Sequence, residues 1–303
     1  MKISVVGCGK VGSAVAYTAL LKGLTDDIVL VDASCDKARG EALDILQCRA
    51  FAPQAKVRQG EMPDTAGSDI VIITAGIPRK ADEPRVLLLS RNAALIGDIA
   101  RKAVQYSPNC ILFMITNPLD VMTQLAFKVS GLPRERVIGM GTVLDTSRYR
   151  SCLARDFGAD ARDIDAYVIG EHGETMVPVT TGINVRGIPL EQWPGFCPET
   201  LERTVKEVIA ASGQVIALKG GTVFAPAASA CAVLEALVRD SNAVLPVCTF
   251  QEDLGVCVSL PTIVNRAGAK QVLSLPISAD EASRFAKSVD NIRTYVNDLA
   301  EYL

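Results

Sequence analysis

The pattern that most restricts the fold lies in the first 32 residues. A short apolar run leads into Gly7-Cys8-Gly9-Lys10-Val11-Gly12, an apolar-periodic stretch continues to Leu21, and a second apolar run ends at Asp32. Strand, glycine-rich turn, helix and strand in this order predict a βαβ unit of the kind that binds dinucleotides.

The glycines and the acid have separate roles in such a unit. Gly7 makes the tight turn, Gly9 lets backbone N–H groups approach a pyrophosphate, and Gly12 lets the helix pack closely. Asp32, twenty residues after Gly12, accepts hydrogen bonds from the adenosine ribose hydroxyls. Because a carboxylate repels a 2′-phosphate and no arginine follows before Arg39, we expect NAD rather than NADP.

Strands and helices continue to alternate up to about residue 140, which predicts a doubly wound parallel sheet with helices on both faces. We assign residues 1–142 to this Rossmann domain. Ligands of such sheets lie at the carboxyl ends of the strands, where Gly7, Asp32, Gly76 and Asn117 all fall.

Residues 143–303 have a different pattern and are predicted to form an α+β substrate domain. Expected strands cover 165–169 and 175–185, and two or three more lie within 243–273. Expected helices cover 198–219 and 226–238, and a last helix follows the capping box Ser278-x-x-Glu281. The helix at 198–219 is expected to turn these apolar residues inward: Leu201, Val205, Val208, Ile209, Val215 and Ile216.

Composition excludes several classes of partner and site. The chain has 31 basic and 34 acidic residues without a basic run, so we expect no nucleic acid and no membrane as partner. Nine scattered cysteines without a C-x-x-C pair indicate a reducing, cytoplasmic location and no metal site.

His172 is the only histidine among 303 residues. Imidazole is the side chain whose ordinary pKa suits proton transfer near neutral pH, so His172 is the candidate acid or base. Asp145 and Arg148 lie three residues apart at the start of a predicted helix, on one face of it.

Five segments together resemble the malate/lactate dehydrogenase family, in the order in which that family has them. They are Gly7–Gly12, Thr74–Lys80, Thr116–Asp120, Leu144–Arg148 and Ile169–Gly173. The resemblance covers essentially the whole chain, and it implies a Rossmann domain followed by an α+β substrate domain.

The resemblance also implies catalytic roles. His172 would exchange a proton with the substrate oxygen while NAD exchanges hydride with its carbon, and Asp145 would orient the imidazole. Arg148 would hold the substrate carboxylate, Arg85 would polarise the carbonyl, and Asn117 would orient its oxygen.

Further site residues are implied in the same way. Thr222 would contact the substrate, and the loop from Gly76 to Arg85 would close over it. The implied cofactor-binding set is Gly7, Cys8, Gly9, Lys10, Val11, Gly12, Asp32, Thr74, Ala75, Gly76, Asn92, Thr116 and Asn117.

The substrate is predicted to be oxaloacetate, giving L-malate, because the resemblance implies that Arg79 faces the substrate side chain, where it would pair with a second carboxylate. Glu83, Thr222 and Glu171 resemble lactate enzymes instead, so pyruvate, or dual specificity, is the alternative. Asp165 stands where enzymes activated by fructose 1,6-bisphosphate have histidine, and we expect no such activation. The family resemblance suggests a homodimer or homotetramer.

Two other classes remain in competition. NAD-dependent glycosidases share the nucleotide fold but build a metal site from cysteine and histidine. A chain with a single histidine, already paired with Asp145, is poorly suited to form that site. A non-catalytic NAD(H) sensor would not need His172, Asp145, Arg148 and Arg85 together, and NADH oxidation with oxaloacetate or pyruvate separates the two classes.

Overall fold

The computed structural model describes residues 1–77, 85–299 and 302, and for residues 85–88 the backbone alone. Its helices are α1 (Lys10–Leu21), α2 (Cys35–Leu46), α3 (Arg85–Tyr106), α4 (Leu119–Ser130), α5 (Val143–Phe157), α6 (Pro198–Lys219), α7 (Phe224–Arg239) and α8 (Ala279–Asn297). No described helix combines the length and the apolar character needed to cross a membrane.

The strands divide into six in the first half and eight short or antiparallel ones in the second. They are β1 (Lys2–Val6), β2 (Asp27–Val31), β3 (Lys56–Gln59), β4 (Ile70–Ile73), β5 (Ile111–Met114), β6 (Val137–Gly139), β7 (Ile164–Asp165), β8 (Val168–Ile169), β9 (Val177–Pro178), β10 (Asn184–Val185), β11 (Ile188–Pro189), β12 (Ala243–Gln251), β13 (Val256–Asn265) and β14 (Gly268–Val272).

The first six strands form the predicted parallel sheet, in the order β6-β5-β4-β1-β2-β3. Strands β4 and β5 are apolar and buried at every position, as expected for strands covered by helices on both faces. The order reverses between β1 and β4, and this reversal opens the crevice in which such sheets bind ligands.

Strands β12 to β14 extend the same sheet, which the sequence did not predict. Cys248 of β12 pairs antiparallel with Gly139 of β6, and β13 and β14 continue outward, giving nine strands in one sheet. The division at residues 142 and 143 therefore stays a prediction, since the second half contributes strands to the first sheet.

Three expectations for the second half were wrong. Residues 165–169 do not form one strand, because β7 and β8 belong to different sheets. Residues 175–185 do not form one strand: β9 and β10 pair with different partners, and Gly182, with φ +77°, lies between them. In α6 the predicted stripe is only partly buried, because Val208 is buried whereas Ile209 and Ile216 are exposed. The apolar period is present in α6, but its carboxyl-terminal half lies over a cavity rather than over the core.

The last helix is as predicted. Ser278 caps α8 by accepting from the Glu281 N–H, and the Glu281 side chain accepts from the Ser278 N–H, which completes the capping box. Its apolar stripe, including Val289 and Ile292, packs into the core against α4 and β13.

Candidate active site

The glycine turn between β1 and α1 leaves no room for side chains at two positions. Gly7 has φ +107°, and a Cβ there would lie 2.4 Å from the Ala75 N. A Cβ on Gly12 would lie 2.0 Å from the Gly7 O. Gly9 is different, because a Cβ there meets no atom within 4 Å. The open space beside Gly9, at the N-terminus of α1, suits a pyrophosphate.

Asp32 lies at the end of β2 and is fixed by its neighbours. One carboxylate oxygen accepts from the Cys8 N–H at 2.7 Å and the other from the Ser34 N–H at 3.1 Å, while the Lys37 ammonium lies 3.3 Å away. Burial opposes the charge, but these donors hold the pKa of Asp32 below its ordinary value. Asp32 is therefore a fixed anion at the carboxyl end of β2.

A groove of about 670 Å³ runs along these residues. Six of the predicted cofactor contacts line it: Gly7, Gly9, Asp32, Thr74, Ala75 and Gly76. Cys8, Lys10, Val11, Gly12, Asn92, Thr116 and Asn117 do not line it within the described part of the chain. Cys8 contributes through its backbone N–H, and burial raises the pKa of its thiol to about 12.

Three predicted cofactor residues hold the scaffold of the groove. Thr74 donates its hydroxyl to the Gly7 O and Thr116 to the Ala75 O, each at 2.6 Å. Both ends of the buried Asn92 amide bind the backbone of Ile77, at 2.8 and 3.3 Å. The Asn92 side chain therefore anchors the start of the loop, and its amide is already engaged before any cofactor arrives.

A second cavity, of about 550 Å³, holds the predicted catalytic residues. It is bounded by the N-terminus of α4, by α5, by the segment after β8, and by α6 and α8. Asn117, Asp145, Arg148 and His172 all line it.

His172, Asp145 and Arg148 form one connected chain of contacts. The Nδ1 of His172 lies 2.6 Å from one oxygen of Asp145, and the Nη1 of Arg148 donates to the other at 2.9 Å. Asp145 is fully buried, whereas the side chain of His172 is 15% exposed and that of Arg148 is 12% exposed. The carboxylate is thus hidden behind two side chains that reach the cavity.

The charges of His172, Asp145 and Arg148 stabilise one another. Burial opposes ionisation of Asp145, but His172 and Arg148 offset it and hold the pKa of Asp145 below its ordinary value. Burial likewise lowers the pKa of His172, whereas the negative charge of Asp145 raises it, and the net effect is a raised pKa. His172 is therefore suited to carry a proton near neutral pH.

Two acidic residues at the site were not assigned a role from the sequence. Asp120, the second residue of α4, accepts the His172 backbone N–H at 2.8 Å. Glu171 accepts from the Thr175 N–H and from the Asn291 amide. Both lie inside segments that carry the family resemblance, so the signal was present, but spacing alone does not show which backbone group a carboxylate meets.

Other predicted residues lie elsewhere. Thr222 follows α6 and does not line the cavity, as far as the chain is described. Arg79 lies outside the described residues. Arg85 begins α3, but its side chain is outside the description.

Comparison with known proteins is decisive at this point. A model of the lactate/malate dehydrogenase NAD-binding domain matches residues 1–139, and a model of the family's alpha/beta C-terminal domain matches residues 142–302. The chain belongs to the lactate/malate dehydrogenase family. It is thus an NAD-dependent oxidoreductase acting on 2-hydroxy acids, and its N-terminal half is the NAD-binding part.

Two relatives of this dehydrogenase and a solved structure similar to it agree with it over nearly the whole chain. It is 39% identical to an L-lactate dehydrogenase of Clostridium perfringens, with 97% of this chain and 96% of the relative covered. It is 38% identical to an L-lactate dehydrogenase of Acetivibrio thermocellus, covering 98% and 97%. A minor L-lactate dehydrogenase from Enterococcus mundtii, crystallised with ligands, superposes with a TM-score of 0.94 at 30% identity, covering 98% of this chain and 97% of that one.

The exposed residues of α6 have an explanation in this enzyme. Ile209 and Ile216 line the catalytic cavity together with Met176. The carboxyl-terminal part of the apolar stripe that the sequence assigned to the core therefore forms a wall of this cavity.

Proposed function

We propose that the enzyme is an L-lactate dehydrogenase, which reduces pyruvate with NADH and oxidises L-lactate in the reverse direction. The observation that carries this proposal is the buried Asp145, which bridges His172 and Arg148 in one cavity. The similarity to relatives named L-lactate dehydrogenase, at 38–39% identity over nearly the whole chain, favours pyruvate as the keto acid.

The reduction needs one hydride and one proton. NADH, held by the glycine turn and Asp32, would supply the hydride that the carbonyl carbon takes up. Because the Nδ1 of His172 is engaged by Asp145, the Nε2 is the nitrogen left to give its proton to the carbonyl oxygen. Asp145 fixes the imidazole and stabilises its charged form before the proton leaves.

Substrate binding falls to Arg148 and its neighbours. Arg148 uses Nη1 for Asp145, and its remaining donors can bind the substrate carboxylate. Asn117 lines the same cavity and can orient the carbonyl oxygen. Arg85 and Thr222 keep their expected roles as proposals, as do the cofactor contacts of the glycine turn.

The walls of the cavity favour an uncharged substrate side chain. Ile209, Ile216 and Met176 offer apolar surface, whereas Glu171 and Glu174 add carboxylates to the lining. A second substrate carboxylate would meet this negative charge and the apolar wall, so a methyl group is the better match.

Oxaloacetate is the second candidate, for one specific reason. Arg79 occupies the sequence position that faces the substrate side chain in the family, and a guanidinium there would pair with a second carboxylate. The prediction of malate dehydrogenase rests on this residue, and the names of the relatives do not support it.

Initial rates with pyruvate and oxaloacetate test the choice directly. We expect a higher kcat/KM for pyruvate in the wild type, and Arg79→Gln should lower the oxaloacetate rate more than the pyruvate rate. Arg162→Gln, at an arginine whose side chain is 88% exposed, is the matched control and should change neither rate. A wild type with the higher kcat/KM for oxaloacetate would contradict the proposal and favour malate dehydrogenase instead.

Three further expectations belong to the same proposal. Assembly as a homodimer or homotetramer is checked by light scattering. The absence of activation by fructose 1,6-bisphosphate, argued from Asp165, is checked by the pyruvate KM with and without the sugar. A cytoplasmic location is proposed from the nine scattered cysteines without a C-x-x-C pair, and cell fractionation checks it.

A further inference from the structure

Asp120 holds the catalytic histidine from a second side. The carboxylate is 3% exposed, and its Oδ2 accepts the His172 backbone N–H at 2.8 Å. Asp145 meets the imidazole of the same residue at 2.6 Å. Two buried carboxylates on two different helices, α4 and α5, therefore converge on His172.

The second oxygen of Asp120 is not satisfied. Its Oδ1 is buried and has no hydrogen-bond partner among the described residues. The Cys248 thiol of β12 lies beside the carboxyl, but a thiol is a weak donor. An asparagine would accept the same backbone N–H without burying a negative charge, so the charge at position 120 is the feature that needs an explanation.

We propose that Asp120 is a positioning residue: its negative charge acts with that of Asp145 to favour the protonated form of His172, the form that gives up its proton during reduction. The proposal rests on the proton transfer assigned to His172. It does not depend on which keto acid is the substrate.

The other charged and titratable groups near this pair are few in the described chain. Arg148 on α5 opposes protonation of His172, whereas Asp145 and Asp120 favour it. Glu171 adds negative charge next to Asp120, and the Cys248 thiol interacts with it from β12, with Cys257 of β13 behind.

The pH dependence follows from the geometry. Burial raises the pKa of Asp120 to about 6, although the His172 N–H and charge lower it. Above pH 6 Asp120 is ionised and supports the imidazolium, and this support is lost as pH falls below 6. Removing the charge permanently lowers the pKa of His172, so the alkaline limb of the reduction rate moves to lower pH.

The single histidine makes a direct measurement possible. With histidine labelled by ¹³C and any purification tag removed, the only imidazole resonance is that of His172. In the wild type we expect a second, smaller inflection near pH 6 as Asp120 titrates. In Asp120→Asn, which keeps an oxygen acceptor for the backbone N–H, we expect His172 to titrate at lower pH and this inflection to disappear.

Kinetics supply the second readout. For Asp120→Asn we expect kcat/KM to be lowered about threefold to tenfold at pH 8.5 and to lie within twofold of the wild type at pH 6. Glu281→Gln is the matched control, because it neutralises another buried carboxylate, far along the chain on α8. It should leave both the imidazole titration and the shape of the pH profile unchanged.

A third variant keeps the test open if Asp120→Asn does not fold. Cys248→Ser places a stronger donor beside Asp120, so the inflection near pH 6 should move to lower pH. The proposal is overturned if the wild type shows no such inflection, or if His172 titrates identically in the wild type and in Asp120→Asn. Failure of the proposed function would give a different result: the enzyme would turn over no keto acid, while the titration of His172 would still show the inflection near pH 6.

Discussion

Asp120 and Glu281 are both buried carboxylates near the start of a helix, yet their surroundings are opposite. Glu281 accepts from the backbone N–H groups of Thr180, Thr181 and Ser278, and from both threonine hydroxyls. Asp120 accepts one backbone N–H, and within the described chain the only other donor beside it is the weak one of the Cys248 thiol. The donors around Glu281 offset the effect of burial and lower its pKa to about 2. At Asp120 burial dominates and raises the pKa to about 6.

The difference separates a structural carboxylate, Glu281, from Asp120, for which we propose a functional role. Glu281 joins α8 to the segment after β9, and its charge is fully used by donors. Asp120 costs stability when ionised, and such a cost is tolerated where the charge acts on a reacting group. A buried acid is therefore informative only when its hydrogen-bond partners are counted.

The largest effect that tests this contrast is expected at Asp145, the buried carboxylate in direct contact with the imidazole. Asp145→Asn removes the charge that stabilises protonated His172 and presents an amide to the ring, so kcat should fall by about 10³-fold or more. Circular dichroism checks that the variant is folded. A loss below tenfold would mean that Asp145, like Glu281, serves mainly to hold the fold.

Glu281→Gln should reduce stability rather than rate. An amide nitrogen would face donors that now meet an oxygen, and we expect a loss of about 4 kcal/mol in the free energy of unfolding at pH 7.5. Because the pKa of Glu281 is lowered, its contribution is complete above the ordinary value of 4.5 and is lost as pH falls through about 2.

Urea titrations measure this change in the free energy of unfolding. The kcat of the folded variant is measured alongside, to show that the rate is not reduced. The difference from the wild type should narrow as pH is lowered from 5 to 3. An undiminished difference at pH 3 would show that packing, not charge, carries the contribution of Glu281.

Asp120→Asn should have the opposite pH dependence. Since the pKa of Asp120 is raised from 3.8 to about 6, its ionisation costs nothing near pH 4 and its full cost is present above pH 6. The variant should therefore match the wild type near pH 4 and exceed its stability at pH 7.5, by up to about 3 kcal/mol. A variant that is less stable by the same amount at both pH values would contradict the assignment of a charge cost to Asp120.

Sequence patterns predicted local features well and tertiary contacts poorly. The glycine turn, the acid after β2 and the capping box at Ser278 are local, so spacing was sufficient to place them. The addition of β12 to the edge of β6 depends on a pairing between Gly139 and Cys248, more than a hundred residues apart, which no local pattern contains.

At the candidate site, too, the sequence predicted local features better than tertiary contacts. The contact between His172 and Asp145 could be expected from the family resemblance, and the structure confirms it. The apolar stripe of α6 identified a helix face correctly, but periodicity does not distinguish a core from a cavity wall, so the expected burial of Ile209 and Ile216 was wrong. Asn92 was expected at the cofactor, and only the folded structure reveals that its amide binds the backbone of Ile77.

A substitution at Ser288 of α8 tests whether the region around Glu281 on α8 influences the region around His172. The fully buried hydroxyl oxygen of Ser288 accepts the Glu171 N–H at 2.8 Å, one residue before His172. Ser288→Ala leaves that N–H without its acceptor, so we expect a loss of about 1 kcal/mol in unfolding free energy.

The effect on turnover should be small, because His172 is held by Asp120 through its backbone and by Asp145 through its ring, and neither contact passes through α8. We therefore expect kcat/KM for Ser288→Ala to lie within twofold of the wild type. Ser283→Ala, at an exposed serine of the same helix, is the control for the loss of a hydroxyl. A tenfold fall in kcat/KM for Ser288→Ala alone would mean that α8 positions the catalytic segment, and the separation between the structural and the functional carboxylate would then no longer hold.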